Sequence, residues 1–447
     1  MVKRFCTLTA VLLFLPAALL AEDRSVSLKQ AIGLALTRHN LIKAAEYEKM
    51  ASDQGISVSR SRYIPRIFLD ESYTTANSPT RVFMMKLDQG RFNQNDFIIN
   101  NLNHPSPTAD FRTAFTLEQT LFDMSIGYGT DMARTESAAK LLALERRKEE
   151  IGYRVFSAYL DIQKARAVFD TAEKAVRDAR EHLRLAKVRN DAGTGLKSDE
   201  LRAGTFLAEM EQQEITARNN VLLAEMRLSL ATGGRPQEPV HIRETVSGLP
   251  LGLKNDEVLA IALKNRKDLQ ETEKETEKAG VGVKLAGSTF LPTVQASATY
   301  ELNDRDTPFS RDNDAWTVGA NLRWELFDGA RRWSDRSRAI ALQSASREYL
   351  WQQEKEIAFQ VRESLLRREE AAKKLEVARA AQLDAAEGVR LITKRFAGSL
   401  AAMVDLLDAQ TALNRARATL AENEADYAQA TARVWYTAGI FLKEVMK

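Results

Sequence analysis

Cysteine is almost missing from this chain, whose 447 residues hold only Cys6. That residue lies in a stretch where Lys3 and Arg4 precede the apolar run Val11-Leu12-Leu13-Phe14-Leu15, followed by small residues from Ala17 to Ala21. A basic start, an apolar run too short to cross a bilayer and a small-residue end describe an export signal, residues 1–21, cut after Ala21. Cys6 also lacks the small residues expected just ahead of a lipidated cysteine. The mature chain is therefore expected to carry neither thiol nor lipid anchor, which excludes disulfides and cysteine-based metal sites.

Excess charge is equally scarce. Without Lys3 and Arg4 the 64 basic residues become 62, against 61 acidic ones, so no electrostatic case for a nucleic-acid partner exists. Histidine occurs four times, at His39, His104, His182 and His241, without the short spacings of a metal site. Each is read as a surface or helix-end residue. Met84 and Met85 have no third soft ligand beside them and are read as loop packing. No glycine-rich phosphate loop, nucleophile elbow or ligand cluster is visible, so no catalytic group, cofactor or metal is expected. Past the signal no long apolar run remains, which leaves β-strands as the only means of membrane insertion.

What the sequence does have is a duplication. Residues 28–73 align without gaps against 255–300 at a constant offset of 227, pairing Pro65 with Pro292, Gly55 with Gly282 and Tyr73 with Tyr300. The repeat resumes with Leu121-Phe122-Asp123 against Leu326-Phe327-Asp328 at an offset of 205, because the first half is longer between residues 74 and 110. At an offset of 206, Ile151, Tyr153 and Val155 then face Ile357, Phe359 and Val361, and Gly233 faces Gly439. Two structural repeats are therefore expected at 22–232 and 255–447, joined by a linker at 233–254 that is rich in turn formers.

Each half has the same plan. A helix from about Leu28, and again from about Asp256, runs to a proline that ends it. A β-hairpin follows, at 66–122 in the first half and 293–327 in the second. In the second, Val294, Ala296, Ala298, Tyr300 and Leu302 alternate with polar residues, as do Val318, Ala320, Leu322, Trp324 and Leu326. These lengths suit tilted strands that cross an outer membrane, with Tyr300, Trp316 and Trp324 at its interfaces. In the first hairpin Ile67, Leu69, Tyr73, Phe115, Leu117 and Leu121 repeat the pattern, with Glu71 and Gln119 intruding on the apolar side. Long helical hairpins then occupy 124–232 and 331–440. Their first arms lack proline and are rich in Ala, Leu, Glu, Arg and Lys, and at 1.5 Å per residue each spans roughly 100 Å. A narrow Ala- and Leu-rich stripe predicts coiled-coil packing. Reversals are expected at Asp191-Ala192-Gly193-Thr194-Gly195 and Ala397-Gly398-Ser399.

Four strands cannot close a barrel, and open strand edges are not tolerated in lipid. Copies must therefore share one; three copies give about twelve strands and a lumen. The fold class is mainly α, with coiled-coil hairpins forming an α-barrel and four strands per chain in a shared trimeric β-barrel. The competing reading, an exported coiled-coil structural or adaptor protein of the periplasm, leaves the alternating hairpins unexplained.

Taken together, the duplicated helix–proline–hairpin–long-helix units, with Phe396-Ala397-Gly398 and Val404-Asp405-Leu406-Leu407-Asp408-Ala409 near the second tip, resemble the TolC-type outer-membrane efflux proteins over essentially the whole mature chain. The resemblance implies a homotrimeric, passive channel of a tripartite efflux or type I secretion system, set in outer-membrane lipid with a large periplasmic part. Its implied partners are a periplasmic adaptor protein and an inner-membrane pump. It also implies roles for tip residues. Asp405 and Asp408, three apart on one helix face, match an acidic ring at the periplasmic entrance. Asp199 with Ser198 fits one side of a latch between tips. Phe396 and Ala401 stand where the best-known member has a tyrosine and an arginine, so that latch is expected to be either weaker here or built differently, by apolar packing of Phe396. Gly193, Thr194, Gly398 and Ser399 match the tips where adaptors dock. Residues 74–110 are expected as an enlarged external loop.

Overall fold

The computed structural model describes residues 25–246 and 249–447; the export signal expected at 1–21 lies outside them. The described chain opens with strand β1 (Ser25–Val26) and helix α1 (Leu28–Arg38). Ser27 starts that helix through a capping box: its Oγ accepts from Gln30 N at 3.3 Å, and the Gln30 side chain accepts from Ser27 N at 3.0 Å. Leu28, Ala31, Ile32 and Ala35, at the spacing of one helix face, are buried.

The single helix expected in each half is two helices. Helix α1 stops at His39, whose extended backbone also caps α2 (Asn40–Ser61), its Nδ1 accepting from Leu41 N at 3.2 Å. The second half breaks at the matching Arg266, between α7 (Val258–Asn265) and α8 (Lys267–Ser288). The cause is distant in sequence. Gly233 and Gly439, which follow the last long helix of each repeat, have φ of +80° and +69°. A Cβ on Gly233 would lie 3.0 Å from both N and Cα of His39, and one on Gly439 would lie 2.9 Å from Arg266 N. The break makes room for a backbone-to-backbone contact that only glycine permits.

After Pro65, strand β2 (Arg66–Ala76) leads through residues 77–107 to β3 (Thr108–Phe122). Within the connection lie α3 (Pro79–Asp88), a turn of 3-10 helix (Gln94–Phe97) and α4 (Ile99–Asn103), so the segment expected as a loop carries helices of its own. After the second repeat's helices and Pro292 come β5 (Thr293–Asp304) and β6 (Asp314–Arg323), while β4 (His241–Ile242) pairs with β1 in the linker. The large sheet is antiparallel in the order β2-β3-β5-β6.

Its rows run straight across. Leu69, Phe115, Tyr300 and Trp316 form one, and Ile67, Leu117, Ala298 and Val318 another, all on the apolar face and all exposed but the half-buried Ala298. Tyr73 pairs with Phe111 as Tyr300 pairs with Trp316, so the two hairpins share one register. Glu71, which intrudes on the apolar face, accepts a hydrogen bond from the Thr113 hydroxyl. The opposite face carries ion pairs, Arg66 with Glu118 at 3.2 Å and Arg112 with Glu301. Strand β6 ends at Arg323, short of the expected Leu326, because its partner β5 begins at Thr293 after Pro292, which has no N–H to continue the ladder. Trp324 instead donates from Nε1 to Phe290 O at 3.1 Å, tying the foot of the sheet to the helices.

Helices α5 (Met124–Asp191, 68 residues) and α9 (Arg331–Ala397, 67 residues) run away from the sheet and return as α6 (Lys197–Ala231) and α10 (Met403–Thr437), before a short α11 (Phe441–Val445). Asp123 begins α5 by accepting from Ser125 N at 2.8 Å. Two cores hold the helices. The larger, with Ile32, Phe156, Tyr159, Leu228, Ile357, Trp435 and Phe441, sits where the repeats meet. The smaller, with Ala179, Ala186, Phe206, Phe396, Met403 and Leu406, lies toward the tips. Among the described residues no helix is long and apolar enough to cross a membrane.

Candidate functional site: the helical tips

Both reversals turn on one left-handed residue. It is Gly193 (φ +70°) in the first hairpin and Ser399 (φ +59°) in the second, 206 positions apart like the rest of the repeat. Gly398 keeps a right-handed φ of −82°. In the first tip Thr194 N and Gly195 N both return to Arg189 O at 2.9 Å, and in the second Leu400 N returns to Arg395 O at 2.8 Å.

The two tips of one chain are joined by Arg189, which the sequence reading did not single out. Its guanidinium donates to Phe396 O at 2.7 Å and Ala397 O at 3.1 Å, and lies 4.2 Å from the centroid of the Phe396 ring. A cation is thus set on the carbonyl end of α9, where the unpaired C=O groups and the helix dipole favour it. Phe396 itself is buried in the smaller core. A basic residue recurs at this place in both repeats, Arg189 and Arg395, a signal that was available.

Asp199, half buried, lines a cleft of roughly 180 Å³ with Arg189, Thr194, Phe396, Ser399 and Ala401. Asp199, Phe396 and Ala401 are therefore brought together, whereas Ser198, Gly193 and Gly398 stand exposed outside the cleft. Asp405 and Asp408 are both exposed, and Asp405 also accepts from Ala402 N at 3.0 Å, capping α10. Leu196 and Leu400 project from the two tips at 66% and 71% exposure.

About three turns above the first reversal, a histidine departs from expectation. His182 is 8% exposed, on the stripe formed by Ala175, Ala179 and Ala186. Neither ring nitrogen has a hydrogen-bond partner. The neighbouring Gln410 gives its amide to Asp178 Oδ2 (3.0 Å) and Asn414 Oδ1 (3.1 Å). Burial pushes the His182 pKa below the usual 6.5, against the opposing pull of the Asp178 and Glu181 charges. With the packed-state value lowered, the neutral ring's contribution is complete above the unpacked value and is lost as pH falls from there through the lowered packed-state value. Acidification from pH 7.5 to 5 should therefore lower the thermal midpoint of the purified protein. His182→Leu should shrink that acid shift and raise stability at neutral pH by about 1 kcal/mol, since an unpaired buried polar group is removed. Equal acid shifts in the two proteins would show that His182 is not the sensor.

The sequence pattern of the outer membrane efflux protein family matches residues 31–234 and 258–439. This chain belongs to the outer membrane efflux protein family. The match breaks only across the linker that holds β4. Among relatives, the alkaline protease secretion protein AprF of Pseudomonas aeruginosa is 25% identical over 439 residues, covering 94% of this chain and 86% of AprF. The proteases secretion protein PrtF of Dickeya chrysanthemi is 23% identical over 442 residues, covering 95% of this chain and 90% of PrtF. The fold resembles that of the CmeC outer membrane channel of Campylobacter jejuni, with a TM-score of 0.79 at 16% identity, over 93% of this chain and 86% of CmeC. Efflux-family membership and that likeness agree with an outer-membrane location and a large helical periplasmic part.

Proposed function

We propose that three copies of this chain form one passive outer-membrane duct, fed by an inner-membrane pump through a periplasmic adaptor, and serving efflux or type I secretion. The observation that carries this reading is the sheet. Four strands expose an apolar face and leave the outer edges of β2 and β6 unpaired, a state lipid does not permit. Twelve strands from three copies satisfy those edges and leave a lumen lined by the polar face. Helices of 68 and 67 residues extend the conduit by roughly 100 Å below it. Passage through such a duct needs no catalytic group, and the driving energy belongs to the pump.

At the periplasmic mouth the exposed pair Asp405 and Asp408 would gather six carboxylates, a ring that favours cations. Asp199, Ser198, Phe396 and Ala401 are assigned to tip closure, and Gly193, Thr194, Gly398 and Ser399 to adaptor docking, where small residues allow close approach and the projecting Leu196 and Leu400 offer apolar contact. In planar bilayers the purified protein should form cation-selective channels, and Asp405→Asn with Asp408→Asn should lower the cation preference severalfold. A monomer that forms no channels would sink the reading as a whole, whereas unchanged selectivity in the double variant would remove only the acidic ring.

A further inference from the structure

The connection between β2 and β3 spans residues 77–107, against 305–313 between β5 and β6, and it is a folded unit in its own right. Pro79 starts α3, an edge-to-face chain joins Phe83 to Phe92 (4.7 Å) and Phe92 to Phe97 (5.0 Å), and Lys86 pairs with Asp96 at 2.6 Å.

Its position follows from where it is clamped. Gln89, 1% exposed, donates from Nε2 to Ala109 O and to Asp110 Oδ1, both at 2.8 Å. Asp110 alternates with Arg112, which pairs across the sheet with Asn303 and Glu301, so all four lie on the polar face. Next to the clamp, Gly90 (φ +59°) comes so close to Asn313, just before β6, that a Cβ there would strike the Asn313 side chain. Asp88 lies within electrostatic reach of Asp110 and Arg112. Asp110 and Asn303 are 8% and 4% exposed, while Asp70, Thr317 and Arg323 on the same face are open. The segment thus lies against the polar face at the outer end of the sheet, from β3 toward β6.

Resting on the proposed duct, in which the polar face is the lumenal one, we infer that residues 77–107 form a constriction at the outer mouth, fixed by Gln89 on Asp110, that limits the size of solutes passing through. It is present once per chain because only the first repeat carries the longer connection, so a trimer presents three such segments to one opening. A folded segment clamped at Gln89 and stiffened by its own aromatic chain narrows the exit without having to move.

The mature chain's lack of cysteine makes the test direct. Asp88→Cys, exposed on the segment, is placed in a planar bilayer and treated from the outer side with a bulky methanethiosulfonate. Conductance should fall by roughly half, as for a residue lining the narrowest part of a pore. Replacing residues 78–106 by a turn of the length between β5 and β6 should raise conductance roughly twofold and admit larger polyethylene glycols, with trimer on an unheated gel as the folding control. Wild-type conductance in the shortened variant, or an Asp88→Cys channel that takes up the label without losing conductance, would overturn the inference. If the shortened variant fails to assemble, labelling at position 88 decides alone. A wild-type protein that forms no channel indicts the duct itself, which separates that failure from this one.

Discussion

Gly439→Ala is expected to abolish most of the assembled, heat-resistant protein although it adds a single methyl group. Two penalties combine. Left-handed backbone at φ +69° costs a residue with a Cβ about 1–2 kcal/mol. The new carbon would also lie 2.9 Å from Arg266 N and 3.0 Å from its Cα, and backbone cannot rotate aside as a flexible side chain can, so overpacking adds about 1–3 kcal/mol. The damage falls where α10 ends against the α7–α8 break, beside the larger core. Gly33→Ala makes the control: a Cβ there meets nothing within 4 Å and the residue is helical, so stability should hold or rise by about 0.5–1 kcal/mol. Thermal midpoints and trimer yield of the two variants, measured together, check this. Equal behaviour would show that the close approach of Gly439 to Arg266 is not a constraint on the fold.

Arg189→Ala is expected to loosen the tips, and its effect should appear in gating and not in expression. The variant loses two charge-assisted hydrogen bonds to the last carbonyls of α9 and the contact with the Phe396 ring. Such bonds contribute about 1.5–3 kcal/mol and an exposed cation–π contact about 0.5–1 kcal/mol. Arg189 is only half buried, so the lower end applies, and about 2 kcal/mol corresponds to roughly thirtyfold in the ratio of open to closed tips. Lysine should rescue little, because a point charge cannot reproduce the planar fork that spans two carbonyls. Open probability in single-channel records gives the answer: records indistinguishable among the wild type, Arg189→Ala and Arg189→Lys would exclude this arginine from closure.

The features legible in the sequence were those with a local period or a fixed offset. Strands showed through apolar residues at every second position, and the long arms through the absence of proline over more than sixty residues of α5 and α9. The breaks at His39 and Arg266 were hidden because their cause, a glycine at the end of a helix from the other end of the repeat, acts through space. At the second tip the duplication carries the left-handed residue to Ser399, 206 positions after Gly193, although Gly398 stands beside it. Arg189 escaped because its targets are carbonyls, which every sequence has. His182 was readable in principle, since it stands on the same helical stripe as Ala179 and Ala186. The clamp formed by Gln89 had no sequence signal, as its acceptors are a carbonyl and a carboxylate of Ala109 and Asp110, some twenty residues away.

The shared register of the two hairpins carries information about a contact between chains. Strand β3 meets β5 inside one molecule with Phe115 beside Tyr300 and Leu117 beside Ala298. Shifting each by its own repeat offset turns these pairs into Ala320 beside Tyr73 and Leu322 beside Glu71 of a neighbouring copy. Every one of these residues falls on the apolar face of the sheet. In the proposed trimer the junction within a chain would be the template for the seam between chains, and six quasi-equivalent hairpins would close the cylinder with one stagger repeated throughout.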